Sequence, residues 1–160
     1  VAIAVFPISL AILFNESRLS RKFEKRSEVI NKTLTQKQKL QTEQHFADQN
    51  ITITSENAGE SFAVRPENVL FMKAAENYTE IYLLQNNLPE RRIVRASLKR
   101  IEADLPRGNR FLRCHKSYLV NLNHVDFISG NAQGFKLHLH QSPTLIPVSR
   151  AFNNSIKELL

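Results

Sequence analysis

Hydrophobic and polar positions change rhythm along the chain, and each change marks an expected element. Val1 to Phe14, VAIAVFPISLAILF, carries no charge. Asn15 to about Ala47 has no Pro or Gly and is rich in Lys, Glu, Gln, Arg and Leu, which favour helix. Past Asp48-Gln49-Asn50 the pattern shortens to β-type runs. Ile51–Thr54 alternates, and Phe62–Val64 pairs back across a Gly59-Glu60 turn. Val69–Met72, Tyr78–Leu84 and Arg92–Arg95 follow, punctuated by Ala75-Glu76-Asn77 and by Asn86-Asn87-Leu88-Pro89. Ser97–Leu105 breaks the β rhythm. Ser97 can cap a helix whose Leu98, Ile101 and Leu105 share one face, and Pro106-Arg107-Gly108 ends it. Strands resume at Tyr118–Leu122, Val125–Ser129, Phe135–His140 and Thr144–Pro147, with Gly130 to Gly134 as a hairpin loop. A short amphipathic helix is expected over Ala151–Leu160.

The first two segments predict a tether. Fourteen apolar residues are short of the roughly 20 that cross a bilayer, and the chain opens on Val rather than Met. Residues 1–14 therefore read as the C-terminal part of a transmembrane helix in a longer product. Arg18, Arg21, Lys22, Lys25 and Arg26 follow directly, and such an excess marks the cytoplasmic side of a span. The rest of the chain is then expected in the cytoplasm, beneath the cell inner membrane. Steps of four and three pass through Leu19, Phe23, Arg26, Ile30, Thr33, Lys37 and Leu40, of which only four are apolar. Residues 15–47 thus read either as a helical stalk with a marginal coiled-coil dimer seam or as a solvated helical linker.

Composition adds two constraints. Lys plus Arg number 22 against 15 Asp plus Glu, a net charge of +7, which is compatible with nucleic acid or with an anionic membrane surface. One cysteine cannot form an internal disulfide, so a reducing compartment is expected. At 160 residues the chain holds one domain with an accessory segment.

Candidate chemistry concentrates in Phe111 to Asn123, FLRCHKSYLVNLN. Cys114-His115 as a nucleophile and base needs both groups to meet in space, but strand neighbours point to opposite faces. His138 and His140 share a strand face, yet a zinc site needs three or four converging ligands. No catalytic residue, metal or cofactor is expected. Arg113, Lys116 and Ser117 instead form a donor cluster suited to DNA phosphates. Ser149-Arg150 repeats the pairing, and Asn77 lies in a polar loop. Each also reads as an ordinary solvated loop, with Tyr78 and Tyr118 packed into the core.

Four blocks carry a more specific signal: LFMKAAENYT (Leu70–Thr79), FLRCHKSYLVN (Phe111–Asn121), SGNAQGFKLHL (Ser129–Leu139) and IPVSR (Ile146–Arg150). In order and spacing they resemble the LytTR family of bacterial DNA-binding domains, over roughly residues 50–160. The membrane helix and basic stalk ahead of them look like the membrane-tethered members found in Bacteroidetes-type bacteria. The resemblance implies a mainly β, elongated fold of about ten strands with short helices, whose loops rather than a recognition helix enter successive major grooves of double-stranded DNA. Its contact positions fall here on Asn77, Tyr78 and Thr79, on Arg113, His115, Lys116 and Ser117, and on Ser149 and Arg150. Arg150 suits bidentate contact with guanine or with phosphate. Some relatives carry histidine where this chain has Thr79. Asn121 is expected to tie strand ends together.

The function implied is a sequence-specific, membrane-anchored transcriptional regulator, not an enzyme, binding promoter repeats as a homodimer. Nothing in the chain resembles a receiver domain, so a partner signalling protein is expected to deliver control. The alternative is an interaction or scaffold module of a membrane sensor that no longer binds DNA.

Overall fold

The two strands expected within Val69–Leu84 pair as an antiparallel hairpin, and the rest of the domain is built around it. In the computed structural model, residues 5–41, 50–57, 60–106 and 110–152 are described. Strands β3 (Val69–Ala75) and β4 (Tyr78–Gln85) lie at the centre of a five-stranded antiparallel sheet. On one side β5 (Leu88–Val94) forms the edge. On the other, β7 (Tyr118–Asn121) pairs with β3 and β6 (Phe111–His115) closes the sheet. A separate three-stranded sheet holds β8 (Val125–Asn131), β9 (Gly134–Leu139) and β10 (Ser142–Pro147), with β9 in the middle. β1 (Ile51–Ile53) and β2 (Phe62–Val64) pair as a third, small sheet.

Alternation along β3 and β7 divides the side chains between two cores. Met72 and Leu119 face one way, where they meet Ile51, Ile53 and Val64 of the β1–β2 pair and Leu98 and Ile101 of α2 (Leu98–Asp104). Phe71 and Val120 face the other way, against Ile128, Phe135, Leu137 and Ile146 of the three-stranded sheet. Phe71 stacks on its cross-strand partner Tyr82 with ring centroids 4.3 Å apart. Ser97 caps α2 as expected, its hydroxyl accepting from the Arg100 amide.

Two strands differ from expectation. β6 covers Phe111–His115, a stretch read only for its chemistry. β5 begins at Leu88 and includes Pro89, because an edge strand tolerates a residue with no amide hydrogen. The Asn86-Asn87 turn between β4 and β5 has φ of 52° and 63°, the left-handed pair that a tight hairpin needs and asparagine accepts. Gly59 of the expected turn and residues 153–160, most of the expected closing helix, lie outside the described residues.

The N-terminal helix differs most from the reading. α1 (Val5–Gln41) is continuous, but it does not stand off as a stalk. Phe23, Ile30 and Leu34 pack into the core on the three-stranded sheet, and Phe23 meets Phe135 edge to face at 5.1 Å. Phe23 and Ile30, two apolar members of the expected dimer seam, are thus covered by this chain's own domain. Arg18, Arg21, Lys22, Lys25 and Arg26 are exposed. Among the described residues no helix is long and apolar enough to cross a membrane, so the expected transmembrane helix has no support in the structure.

Candidate nucleic-acid interface

Strand register brings three chain segments to one end of the five-stranded sheet. Ala75 pairs with Tyr78, so β3 and β4 are joined by the two-residue turn Glu76-Asn77. His115 pairs with Tyr118, so β6 and β7 are joined by Lys116-Ser117. Lys73 pairs with Tyr118, and the Ala74 amide donates to the Ser117 carbonyl at 2.9 Å, which sets the two turns side by side. The third segment leaves β10. The Ser149 amide donates to the Cys114 carbonyl at 2.9 Å, holding Ser149-Arg150 against the end of β6.

Each expected contact residue has a distinct situation. Asn77, Tyr78, Lys116 and Arg150 are exposed, and Ser117 and Ser149 are half-buried. His115 is also half-buried. Its Nδ1 accepts from the Ser117 amide at 3.2 Å, which fixes the ring against its own turn and leaves Nε2 as the free edge.

Two residues differ from expectation. Thr79 is fully buried, and its hydroxyl donates to the Ala96 carbonyl at 2.7 Å. β4 turns this side chain into the core, so it supports the loop from beneath and does not present itself to a groove. Arg113 points inward along its own hairpin. Nε donates to the His115 carbonyl (3.0 Å), Nη2 to the Lys116 carbonyl, and Nη1 to Glu102 Oε2 on α2 (3.0 Å). Each of the three guanidinium nitrogens thus has a partner within the protein.

Asn121 takes the structural role expected of it. The residue is buried, and its Nδ2 donates to the carbonyls of Pro66 and Val69, both at 3.0 Å. Its Oδ1 accepts from the Asn123 amide, so the end of β7 is tied to the start of β3.

The Cys114-His115 pair forms no dyad. A register shift between Arg113 and His115 turns Cys114 into the core, where it is fully buried. Burial pushes the thiol up to about 12, so a thiolate nucleophile is absent at neutral pH. Among the described residues no three His, Cys, Asp or Glu side chains converge on a common point. His138 instead stacks on Phe127 at 4.0 Å and bonds Ser129 Oγ at 2.9 Å.

The sequence reading missed three cations. Val94 pairs with Thr79, so β5 ends beside the β3–β4 turn, and Arg95 follows it exposed. Lys99 and Arg100 are exposed on the first turn of α2, just beyond. The stretch RRIVRASLKR carried the signal, but only the β4–β5 register places it at this end. Arg95, Lys99, Arg100, Lys116 and Arg150 form no ion pair with any described residue. Elsewhere on the sheet, by contrast, Lys73 and Arg91 share one carboxylate, Glu80, at 3.5 and 3.2 Å. Five cations without an ion pair thus stand at the loop end, as the basic cluster of α1 also does elsewhere, and phosphate contact requires such free charge.

A family profile described as the LytTr DNA-binding domain matches residues 59–160. The chain belongs to the LytTR family. The LytTR match begins beyond β1, whose pairing with β2 and burial of Ile51 and Ile53 place it in the same folded unit. Among solved structures, the LytTr DNA-binding domain of a protein described as a methyl-accepting/DNA response regulator from Bacillus cereus is similar, with a TM-score of 0.52 and 25% identity. That likeness covers 68% of this chain and 94% of the other. An uncharacterised response regulatory protein of Vibrio cholerae is 30% identical over 89 residues, which is 56% of this chain. The chain spans about a third of the length of that curated relative (33%). The fold is accordingly a mainly β LytTR domain with short helices, and its family is one of DNA-binding domains.

Proposed function

We propose that the chain is a sequence-specific transcriptional regulator that binds double-stranded DNA through the loop end of its LytTR domain. The observation that carries this reading is the convergence of the Asn77, Lys116 and Arg150 segments, all three exposed, at one sheet end that also gathers unpaired cations. Lys116 and Arg150 are the base-edge or bidentate donors. Asn77 and Tyr78 contact bases or sugar from the neighbouring turn, and His115 Nε2, Ser117 and Ser149 lie close enough to meet phosphate. Arg95, Lys99 and Arg100 neutralise phosphates alongside.

Anchoring at the cell inner membrane, with the domain in the cytoplasm, is part of the proposal. Its support is the uncharged run Val1–Phe14 followed by the basic cluster Arg18 to Arg26. Pairing of two chains on repeated half-sites is also proposed, with a separate signalling protein as the source of input. Among the described residues, Leu19 and Val29 are exposed large apolar positions of α1 left for pairing, at 41% and 66%. Because α1 covers part of the core, sedimentation of the intact chain tests pairing better than truncation does. Flotation with anionic vesicles tests anchoring.

The DNA reading is tested with a duplex selected by the chain itself from a random-sequence pool. Affinity should fall steeply with salt. Lys116→Ala and Arg150→Ala should each cost about 1–3 kcal/mol and relax base preference at one position. A double variant that binds the selected duplex as tightly as the parent would sink the assignment.

A further inference from the structure

Arg113 and Glu102 bond each other beside the interface loops. The Arg113 guanidinium clamps both carbonyls of the β6–β7 turn, at His115 and at Lys116. It is anchored in turn by Glu102 Oε2 on α2, 3.0 Å from Nη1. The arginine side chain retains only 19% of its exposure, and Glu102 retains 40%. A two-residue turn carries an exposed lysine on a stem with four rotatable carbons. Fixing the carbonyl of Lys116 fixes where that stem starts, and with it the region the ammonium can sweep. Lysine offers no such clamp, since one ammonium cannot span two carbonyls and a carboxylate in one plane.

We propose that Arg113 is a positioning residue that holds Lys116 in register for DNA, with Glu102 as its anchor. An acidic side chain thereby supports binding of a polyanion. This rests on the reading that Lys116 touches DNA. Coulomb's law alone makes the opposite statement about Glu102, because removing a carboxylate near phosphates should tighten binding. The sign of one substitution therefore separates placement from charge.

The experiment measures affinity of the full chain for its pool-selected duplex and for an unrelated duplex of equal length. Glu102→Gln should weaken the selected duplex about three- to tenfold while leaving the unrelated duplex within twofold. Arg113→Ala should weaken it about tenfold or more. Arg113→Lys should not rescue it, although the charge is retained. In a Lys116→Ala background, Arg113→Ala should cost less than a further twofold, because the group it positions is gone. Glu102→Gln lies outside the core and keeps the side-chain volume, so it remains informative if Arg113 variants fold poorly. Tighter or unchanged binding by Glu102→Gln overturns the proposal. So do rescue by Arg113→Lys and full additivity with Lys116→Ala, both of which make Arg113 a direct phosphate contact. If Lys116→Ala alone has no effect, the DNA assignment of Lys116 fails first, and the positioning role falls with it.

Discussion

The side-chain amide of Asn31 on α1 replaces a neighbouring strand for Ile128 on β8. Its Nδ2 donates to the Ile128 carbonyl at 3.0 Å, and its Oδ1 accepts from the Ile128 amide at 2.7 Å. β8 is an outer strand, so these peptide groups have no sheet partner. An exposed edge of this kind invites pairing with another chain, and the helix covers it. Gly130 permits the approach, because a Cβ there would sit 2.8 Å from the Phe23 carbonyl oxygen.

Asn31→Leu should therefore loosen α1 without unfolding the sheets. Two buried peptide groups lose their partner at once, a loss of about 1–3 kcal/mol. Amide exchange at Ile128 should accelerate at least tenfold, and the urea midpoint should drop. An unchanged exchange rate at Ile128 would show that the helix does not protect this edge in solution.

Thr79→Val is expected to act on stability rather than on recognition. The hydroxyl is the buried partner of the Ala96 carbonyl, and valine keeps the shape while leaving that oxygen unsatisfied, at a cost of about 1–3 kcal/mol. Affinity for DNA, corrected for the folded fraction, should stay within twofold of the parent. A selective loss of base preference in this variant would return Thr79 to the contact surface.

How far the sequence revealed this molecule depends on the range of the forces involved. β3, β4, β9 and α2 were legible because apolar runs, alternation and capping are local signals. β6 was not, since only Cys114 of its five residues is fully buried and the others are half-buried on both faces. β5 was shortened because Pro89 reads as a turn until its edge position is known. α1 was legible as a helix but not as a docked one, for nothing near Asn31 announces Ile128 ninety-seven residues away. The interface divides in the same way. Lys116 and Arg150 stand in short motifs that carry their own meaning. Arg113 and Thr79 take their roles from Glu102 and Ala96, which are neighbours only after folding.

Glu76 offers a stabilising change in the recognition turn. It has φ of 54°, a left-handed conformation that costs a residue with a Cβ about 1 kcal/mol or more. Glu76→Gly should relieve this strain, less the extra entropy glycine loses on folding, for a net gain of about 0.5 kcal/mol. The melting temperature should rise by a few degrees. Removing an exposed carboxylate beside Asn77 should also tighten non-specific DNA binding at low salt. A lower melting temperature would mean that the glutamate side chain stabilises the turn in a way its backbone angle does not reveal.

His124 makes stability depend on pH at the opposite end of the sheet from the loops. Burial lowers its pKa below the ordinary histidine value, outweighing the bond to the Glu67 carbonyl that favours the charged form, and His140 lowers it further. The unfolded chain binds this proton near the reference value of about 6.5, whereas the folded chain binds it only at lower pH. Between those two points the unfolded state holds more protons, so stability falls as pH falls. The contribution is fully present above about pH 6.5 and is lost as pH drops through the folded value. His140 itself faces Asp126 at 3.5 Å. In urea titrations at pH 8, 6.5 and 5.5, the midpoint of the parent should decline more steeply than that of His124→Asn, while pH-dependent DNA affinity should be alike in both. Parallel declines would assign the acid sensitivity to other groups.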